Sequence, residues 1–110
     1  MNGTITAKNK LLIDTTLLKN GALVFRAMNH PVRQGLLRLL HTKGEVTVTQ
    51  LYTKMRLQQS AASQHLSILR QAALVKTRRE GKQIIYSVNY NRIQHVHDTA
   101  ASLLNGTNPV

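Results

Sequence analysis

Apolar residues recur with a helical period along most of this chain. From Leu11 to Met28, Ile13, Leu17, Val24 and Met28 fall near one helical face, and Leu12, Leu18, Leu23 and Phe25 widen it. Gly21 weakens that helix. The stripe is more apolar than an exposed terminal helix carries, so it is expected to meet either the body of the chain or a second subunit. Asn29-His30-Pro31 ends this helix and opens another, with Pro31 suited to the first helical position. Val32, Leu36, Leu39 and Leu40 follow at i, i+4, i+7 and i+8, and Lys43-Gly44 closes the helix with Gly44 as a left-handed cap. Thr47-Val48-Thr49-Gln50 has the spacing of a capping box. It predicts a third helix with Val48, Leu51, Tyr52 and Met55 turned inward.

Arg56 to Gln59 reads as a short turn. Ser60 is expected to cap a fourth helix running to about Ala72. Ala62, Leu66, Leu69 and Ala73 share one side of it; Ser60, Gln64, Ser67 and Gln71 lie opposite, flanked by Ser63 and Arg70. A merely solvated helix face carries Glu and Lys. This one is small, neutral and rich in hydrogen-bonding groups. Leu74 to Arg79 then alternates with period two, Glu80-Gly81 turns, and Lys82 to Val88 returns with Ile84, Tyr86 and Val88 inward, predicting a β-hairpin. Glu45-Val46 leaves room for a third short strand beside it. A last helix from Asn91 to Leu104 places Ile93, Val96, Ala100 and Leu103 on one face. Residues 1–10 and 105–110 show no periodicity and are expected to be tails. The fold class is mainly α with a small antiparallel hairpin, in the order α-α-α-α-β-β-α, as a single domain over 1–110.

Charge narrows the function. Fifteen Lys and Arg stand against four Asp and Glu, a formal charge of +11 on 110 residues. Such a balance points to a polyanionic partner, nucleic acid before membrane surface. A hydrophobic content of 42% is enough for a core and excludes a disordered basic tail. A single core this small is marginal alone, and a dimer would help. There are no cysteines, which excludes disulfides, thiolate metal sites, thiol catalysis and thiol redox sensing within the chain, and suits a cytoplasmic protein. No apolar run approaches a membrane span, and Met1 to Lys10 lacks the order of a signal peptide. No helix pairs a basic face with an exposed Phe/Leu face, which argues against a membrane partner. The acidic residues Asp14, Glu45, Glu80 and Asp98 belong to four separate elements, and no Ser-His-Asp spacing or Gly-rich phosphate loop occurs. The chain is therefore not expected to be an enzyme, and no cofactor is implied. Three Tyr and one Phe are too few to stack single-stranded bases, which favours double-stranded DNA.

Two helices joined by a tight turn and followed by a basic hairpin make a winged helix-turn-helix. A major groove about 12 Å wide admits one helix. Small residues at Ser60, Ala61 and Ser63 let the fourth helix sit deep, Gln64 reaches adenine edges, and serine hydroxyls reach bases or phosphates. On the hairpin, Lys76, Arg78, Arg79 and Lys82 face the single charge of Glu80 and are expected at phosphates or the minor groove. An ordinary charged edge strand is the plainer reading of that hairpin. Arg33, after Pro31, is expected to anchor a phosphate on the other side.

The run Gln59-Ser60-Ala61-Ala62-Ser63-Gln64-His65-Leu66-Ser67-Ile68-Leu69-Arg70-Gln71-Ala72-Ala73-Leu74-Val75 resembles the recognition helix of the ArsR/SmtB transcriptional regulators, Q-S-x-V-S-x-H-L-x-x-L-R-x-A-G-L-V. Met28-Asn29-His30-Pro31-Val32-Arg33 with Leu36 and Leu37 resembles that family's L-x-x-P-x-R-x-x-I-L. Arg79-Glu80-Gly81-Lys82 with Tyr86 resembles its R-x-G-R/K…Y wing. The resemblance covers about residues 20–104. It implies a homodimer joined through the first and last helices, here Ile13, Leu17, Leu18, Val24, Ile93, Val96, Ala100 and Leu103, with two recognition helices on a palindromic operator.

Ala62 and Ala73 stand where the family usually has Val and Gly, and Ala73 is expected to cost strain at the helix end. The family's Cys-x-Cys metal pair is absent from Gln50 to Met55. Its Asp-x-His pair is absent from Tyr90-Asn91-Arg92, and the downstream ligand positions fall near Leu103 and Gly106. His95 and Asp98, one helical turn apart, are the remaining metal candidates, against an exposed polar face as the plainer reading. His65, on the flank of the recognition helix, either touches DNA or bonds the scaffold. His30 and His41 are read as surface residues at helix ends. The expected DNA-facing set is Arg33, Gln59, Ser60, Ala61, Ser63, Gln64, His65, Ser67, Arg70, Lys76, Arg78, Arg79 and Lys82. The expected function is a sequence-specific, homodimeric repressor on an inverted-repeat operator, not a Cys-based metal sensor, with constitutive binding or an unknown effector or protein partner left open. The alternative from another class is a non-specific architectural or interaction module.

Overall fold

Asp14 starts the first helix. Its carboxylate accepts from the Leu17 backbone N–H at 3.0 Å, so α1 spans Thr15–Met28 rather than beginning at Leu11. The computed structural model describes residues 11–105. The expected tails lie outside the described residues, apart from Asn105 at the end of the last helix. In α2, Pro31–Lys43, Pro31 takes the first turn and His30 is the cap, its Nδ1 accepting from the Val32 N–H at 3.1 Å. The helix closes with the Gly44 N–H on the Leu40 carbonyl at 2.7 Å. Gly44 has φ 89 and ψ −71, a positive-φ stop outside the left-handed helical well that the sequence suggested.

The two-residue strand β1, Val46–Thr47, leads into α3, Val48–Met55. The capping box forms as expected: the Thr47 hydroxyl accepts from Gln50 N–H, and the Gln50 side chain accepts from Thr47 N–H. Arg56, at φ 54, ends α3, with Arg56 N–H on Thr53 O and Leu57 N–H on Tyr52 O. This is a Schellman pattern.

Helix α4 spans Gln59–Gln71, with Gln58 as its cap and no side-chain capping bond. Ser60 is thus inside the helix and not its cap; the Ala62 N–H already bonds Gln58 O at 3.0 Å. The C-terminus repeats the Schellman pattern, with Ala73 N–H on Arg70 O and Leu74 N–H on Leu69 O, both at 2.9 Å. Ala73 has φ 61, the left-handed position where glycine fits without strain. It is exposed and past the helix end, so it leaves the apolar face on which periodicity placed it.

Strands β2, Val75–Glu80, and β3, Gln83–Val88, pair antiparallel from Val75↔Val88 to Glu80↔Gln83. The turn is therefore Gly81-Lys82, one residue later than Glu80-Gly81. Gly81, at φ 63, holds the first central position of this two-residue loop. The predicted third strand exists: Val46↔Tyr86 and Thr47↔Ile85 complete a sheet ordered β1-β3-β2. Helix α5, Tyr90–Asn105, follows.

Leu36, Leu40, Leu51, Leu66, Leu69 and Leu74 are fully buried at the centre, where α2, α3 and α4 meet the sheet. Val96 joins this core at 6% exposure, while Val24, Ile93 and Ala100 are half-buried. Val96 therefore has little surface left for a partner, which corrects its assignment to an interface. By contrast Ile13, Leu17, Leu18 and Leu103 are each more than half exposed.

Candidate nucleic-acid interface

The buried side of α4, Ala62, Leu66 and Leu69, fixes which residues turn outward. Gln59, Ser60, Ser63, Gln64, Ser67 and Arg70 are exposed, and Ala61 is half-buried. No acidic residue lies on this helix. A cleft of about 340 Å³ separates α4 from the wing, with Thr47, Thr49, Gln59, Ser63, Lys82 and Gln83 around Val48 and Ile84. Thr49 and Gln83 were not singled out from sequence. Nothing in the pattern showed that the start of α3 and the wing tip would share one cleft with α4.

The wing carries Lys76, Arg78, Arg79 and Lys82, all exposed. Arg78 differs from the rest. Its Nε and Nη2 donate to Glu45 at 3.0 and 2.9 Å, and its Nη1 donates to Glu80 at 2.6 Å. The Glu45 bond, then the Glu80 bond, hold the guanidinium above its ordinary pKa, and Arg78 draws the Glu45 carboxyl below its own. Both faces of the fork are occupied by carboxylates, so Arg78 is not the free phosphate ligand the charge count suggested. Lys76, Arg79 and Lys82 have no ion pair among the described residues.

Arg33 is corrected more sharply. It is 5% exposed and is the sole charged residue in the core of the described residues. Its Nε donates to Ala27 O at 2.7 Å and its Nη2 to Arg26 O at 3.0 Å, which satisfies carbonyls at the end of α1. Its Nη1 lies 3.3 Å from His65 Nδ1. His65 thus bonds the scaffold. At the other end of α4, Arg92 Nε donates to Ala72 O at 3.0 Å and Asn89 Nδ2 to Ala73 O at 2.9 Å. The start of α5 therefore grips the end of α4, a role for Asn89 and Arg92 that no sequence signal carried.

His95 and Asp98 are both exposed. The Asp98 carboxylate accepts from Gln94 Nε2 at 2.9 Å and lies 3.4 Å from His97 Nδ1, and these bonds, Gln94 first, lower its pKa. Among the described residues no three His, Cys, Asp or Glu side chains group closely enough to hold a metal. His41 is at the end of α2, with its Nδ1 2.8 Å from the Tyr90 hydroxyl. Among the described residues, no helix is long and apolar enough to cross a membrane.

A helix-turn-helix domain family matches residues 28–78, from the end of α1 into the wing's first strand. The transcriptional repressor PagR of Bacillus anthracis is 32% identical over 76% of this chain and 84% of its own. A transcriptional repressor SmtB homologue of Synechocystis is 35% identical over 73% of this chain and 60% of its own. The chain belongs to the ArsR/SmtB family. The solution structure of a homodimeric winged helix-turn-helix DNA-binding domain from Mycobacterium bovis superposes with a TM-score of 0.66 at 24% identity, covering 100% of this chain and 94% of that one. As an ArsR/SmtB protein the chain is a winged-helix transcriptional regulator whose fold is built for DNA binding. Its α3 and α4 form the helix-turn-helix and its β2–β3 hairpin the wing.

Proposed function

We propose that this protein is a homodimeric repressor that reads an inverted-repeat operator. The observation that carries this reading is the outward face of α4: Ser60, Ser63, Gln64 and Ser67 are exposed and uncharged, beside three wing cations that have no ion pair among the described residues. Such a face suits base edges, and such a wing suits phosphates. Gln59, Ser60, Ala61, Ser63, Gln64 and Ser67 would face the groove. Arg70, Lys76, Arg79 and Lys82 would hold the backbone, with Thr49 and Gln83 in the cleft between them. The exposed leucines of α1 and α5, with Ile13, supply the apolar surface for a second copy, and the homodimeric Mycobacterium bovis structure of the same fold supports that assembly. A switch, where one operates, would be neither a thiol nor a Cys-ligated metal, because the chain has no cysteine.

Sedimentation of the chain with and without a bound duplex tests the assembly. The proposal predicts a dimer alone and one dimer per operator. A monomer that coats any duplex in proportion to its length overturns it.

A further inference from the structure

His65 sits beside Gln64 yet turns the other way. Gln64 is exposed; His65 is half-buried against the junction of α1 and α2. Two features fix its protonation state. Arg33 has no acceptor, so at 3.3 Å from Arg33 Nη1 the His65 Nδ1 must be the bare, accepting nitrogen. His30 is held the same way, since its Nδ1 accepts from the Val32 N–H at the start of α2. The two rings lie 4.9 Å apart, tilted by 52°. Three basic side chains thus meet at one point, each imidazole turning its Nδ1 towards a donor.

Among the described residues no carboxylate offsets them. Asp14 caps α1, Glu45 and Glu80 hold Arg78, and Asp98 bonds Gln94 and His97. From α1 the junction receives the carbonyls of Arg26 and Ala27, both taken by Arg33. From α2 and its cap it receives Arg33 and His30. Those two are the basic groups that act on His65, and burial, with His30 and Arg33 after it, holds its pKa below the ordinary histidine value.

We propose that His65 is a positioning residue: through Arg33 and His30 it sets the pose of α4 on the scaffold, and its protonation releases that helix and weakens DNA binding. The inference rests on α4 being the helix that reads DNA. A proton on His65 Nδ1 removes the acceptor for Arg33 and places a cation against the guanidinium. The sign is diagnostic. Protonating a freely exposed imidazole adds a positive charge and tightens binding to a polyanion. Protonating His65 loosens it.

The linkage follows the same direction. A histidine whose folded pKa is lowered stabilises the fold fully above its unfolded value, about 6.5, and loses that contribution as pH falls below it. The test measures duplex affinity and thermal unfolding from about pH 8 to about pH 5 at constant salt, for the full chain and for His65→Gln. Glutamine Oε1 accepts from Arg33 but takes up no proton. The parent should lose roughly three- to tenfold in affinity across the acid limb, the scale of one coupled protonation. His65→Gln should match it within about twofold at pH 8 and then stay flat or tighten. Parallel tightening of parent and His65→Gln on acidification overturns the proposal. So does a large loss in His65→Gln already at pH 8, which would place His65 on the DNA. Should neither bind any duplex, the DNA reading itself fails and the unfolding curves decide: a gap in Tm that opens as pH falls upholds the coupling, and parallel curves refute it.

Discussion

Arg78 and Glu45 are 33 residues apart in the chain, yet the guanidinium donates to both carboxylate oxygens, at 3.0 and 2.9 Å. The pair ties the approach to β1 to the wing. It is solvent-exposed, so it contributes little to stability. Its consequence is for charge, because it takes one wing cation out of play. Glu45→Gln should therefore strengthen duplex binding severalfold at low salt and steepen the salt dependence by about one phosphate contact. A salt titration of binding checks this, and an unchanged slope would show that Arg78 already serves DNA.

The recognition helix and the wing should separate cleanly in mutagenesis. Gln64→Ala should cost about 1–3 kcal/mol on the preferred duplex and relax the preference at one base pair. Arg79→Ala should weaken all duplexes about equally and lower the salt slope by about one. Competition with substituted duplexes distinguishes the two effects, and equal behaviour of both variants would misplace the interface.

Ala73 pays for its left-handed conformation at the end of α4. A non-glycine residue there costs on the order of 1–2 kcal/mol, partly returned by glycine's greater freedom in the unfolded chain. Ala73→Gly should therefore stabilise the protein by roughly 1 kcal/mol, a rise in Tm of about 4–8 °C for a domain of this size. Denaturant unfolding at fixed protein concentration measures it. A loss of stability would mean that the alanine methyl packs where the φ of 61 suggests strain.

Leu17 and Val96 were expected on the same interface, but their exposures are 69% and 6%. Leu17→Asp should leave the protomer folded and shift the dimer towards monomer. Val96→Asp should unfold it, since a buried charge without a partner costs several kcal/mol. Circular dichroism together with sedimentation separates the outcomes. A folded Val96→Asp monomer would return Val96 to the interface.

Much of this architecture was legible because local chemistry decided it. Thr47 and Gln50 complete their capping box within four residues, and the spacing of Ala62, Leu66 and Leu69 orients α4 without help from elsewhere. Ala73 declared its strain by standing at the glycine position of a recognisable motif. The misses are long-range. Arg33 resembles a surface cation until the carbonyls of Arg26 and Ala27 are seen to end α1 against it. Arg78 resembles a free wing charge until β1 brings Glu45 alongside. Val96 lies on the apolar stripe of α5, and periodicity cannot say which part of a stripe faces the core and which faces a partner. Ser60 is a good capping residue, but the turn after Arg56 delivers the chain into α4 before reaching it.

Selection of bound duplexes from a random DNA library, at about 150 mM salt where non-specific contacts are weak, separates a reader of sequence from a charge-driven binder. An operator-reading dimer should recover an inverted repeat whose half-sites are spaced for two α4 helices on one face of the duplex. Recovery of no motif, with binding that disappears as salt rises, would contradict it and leave a charge-driven module that holds DNA without reading it.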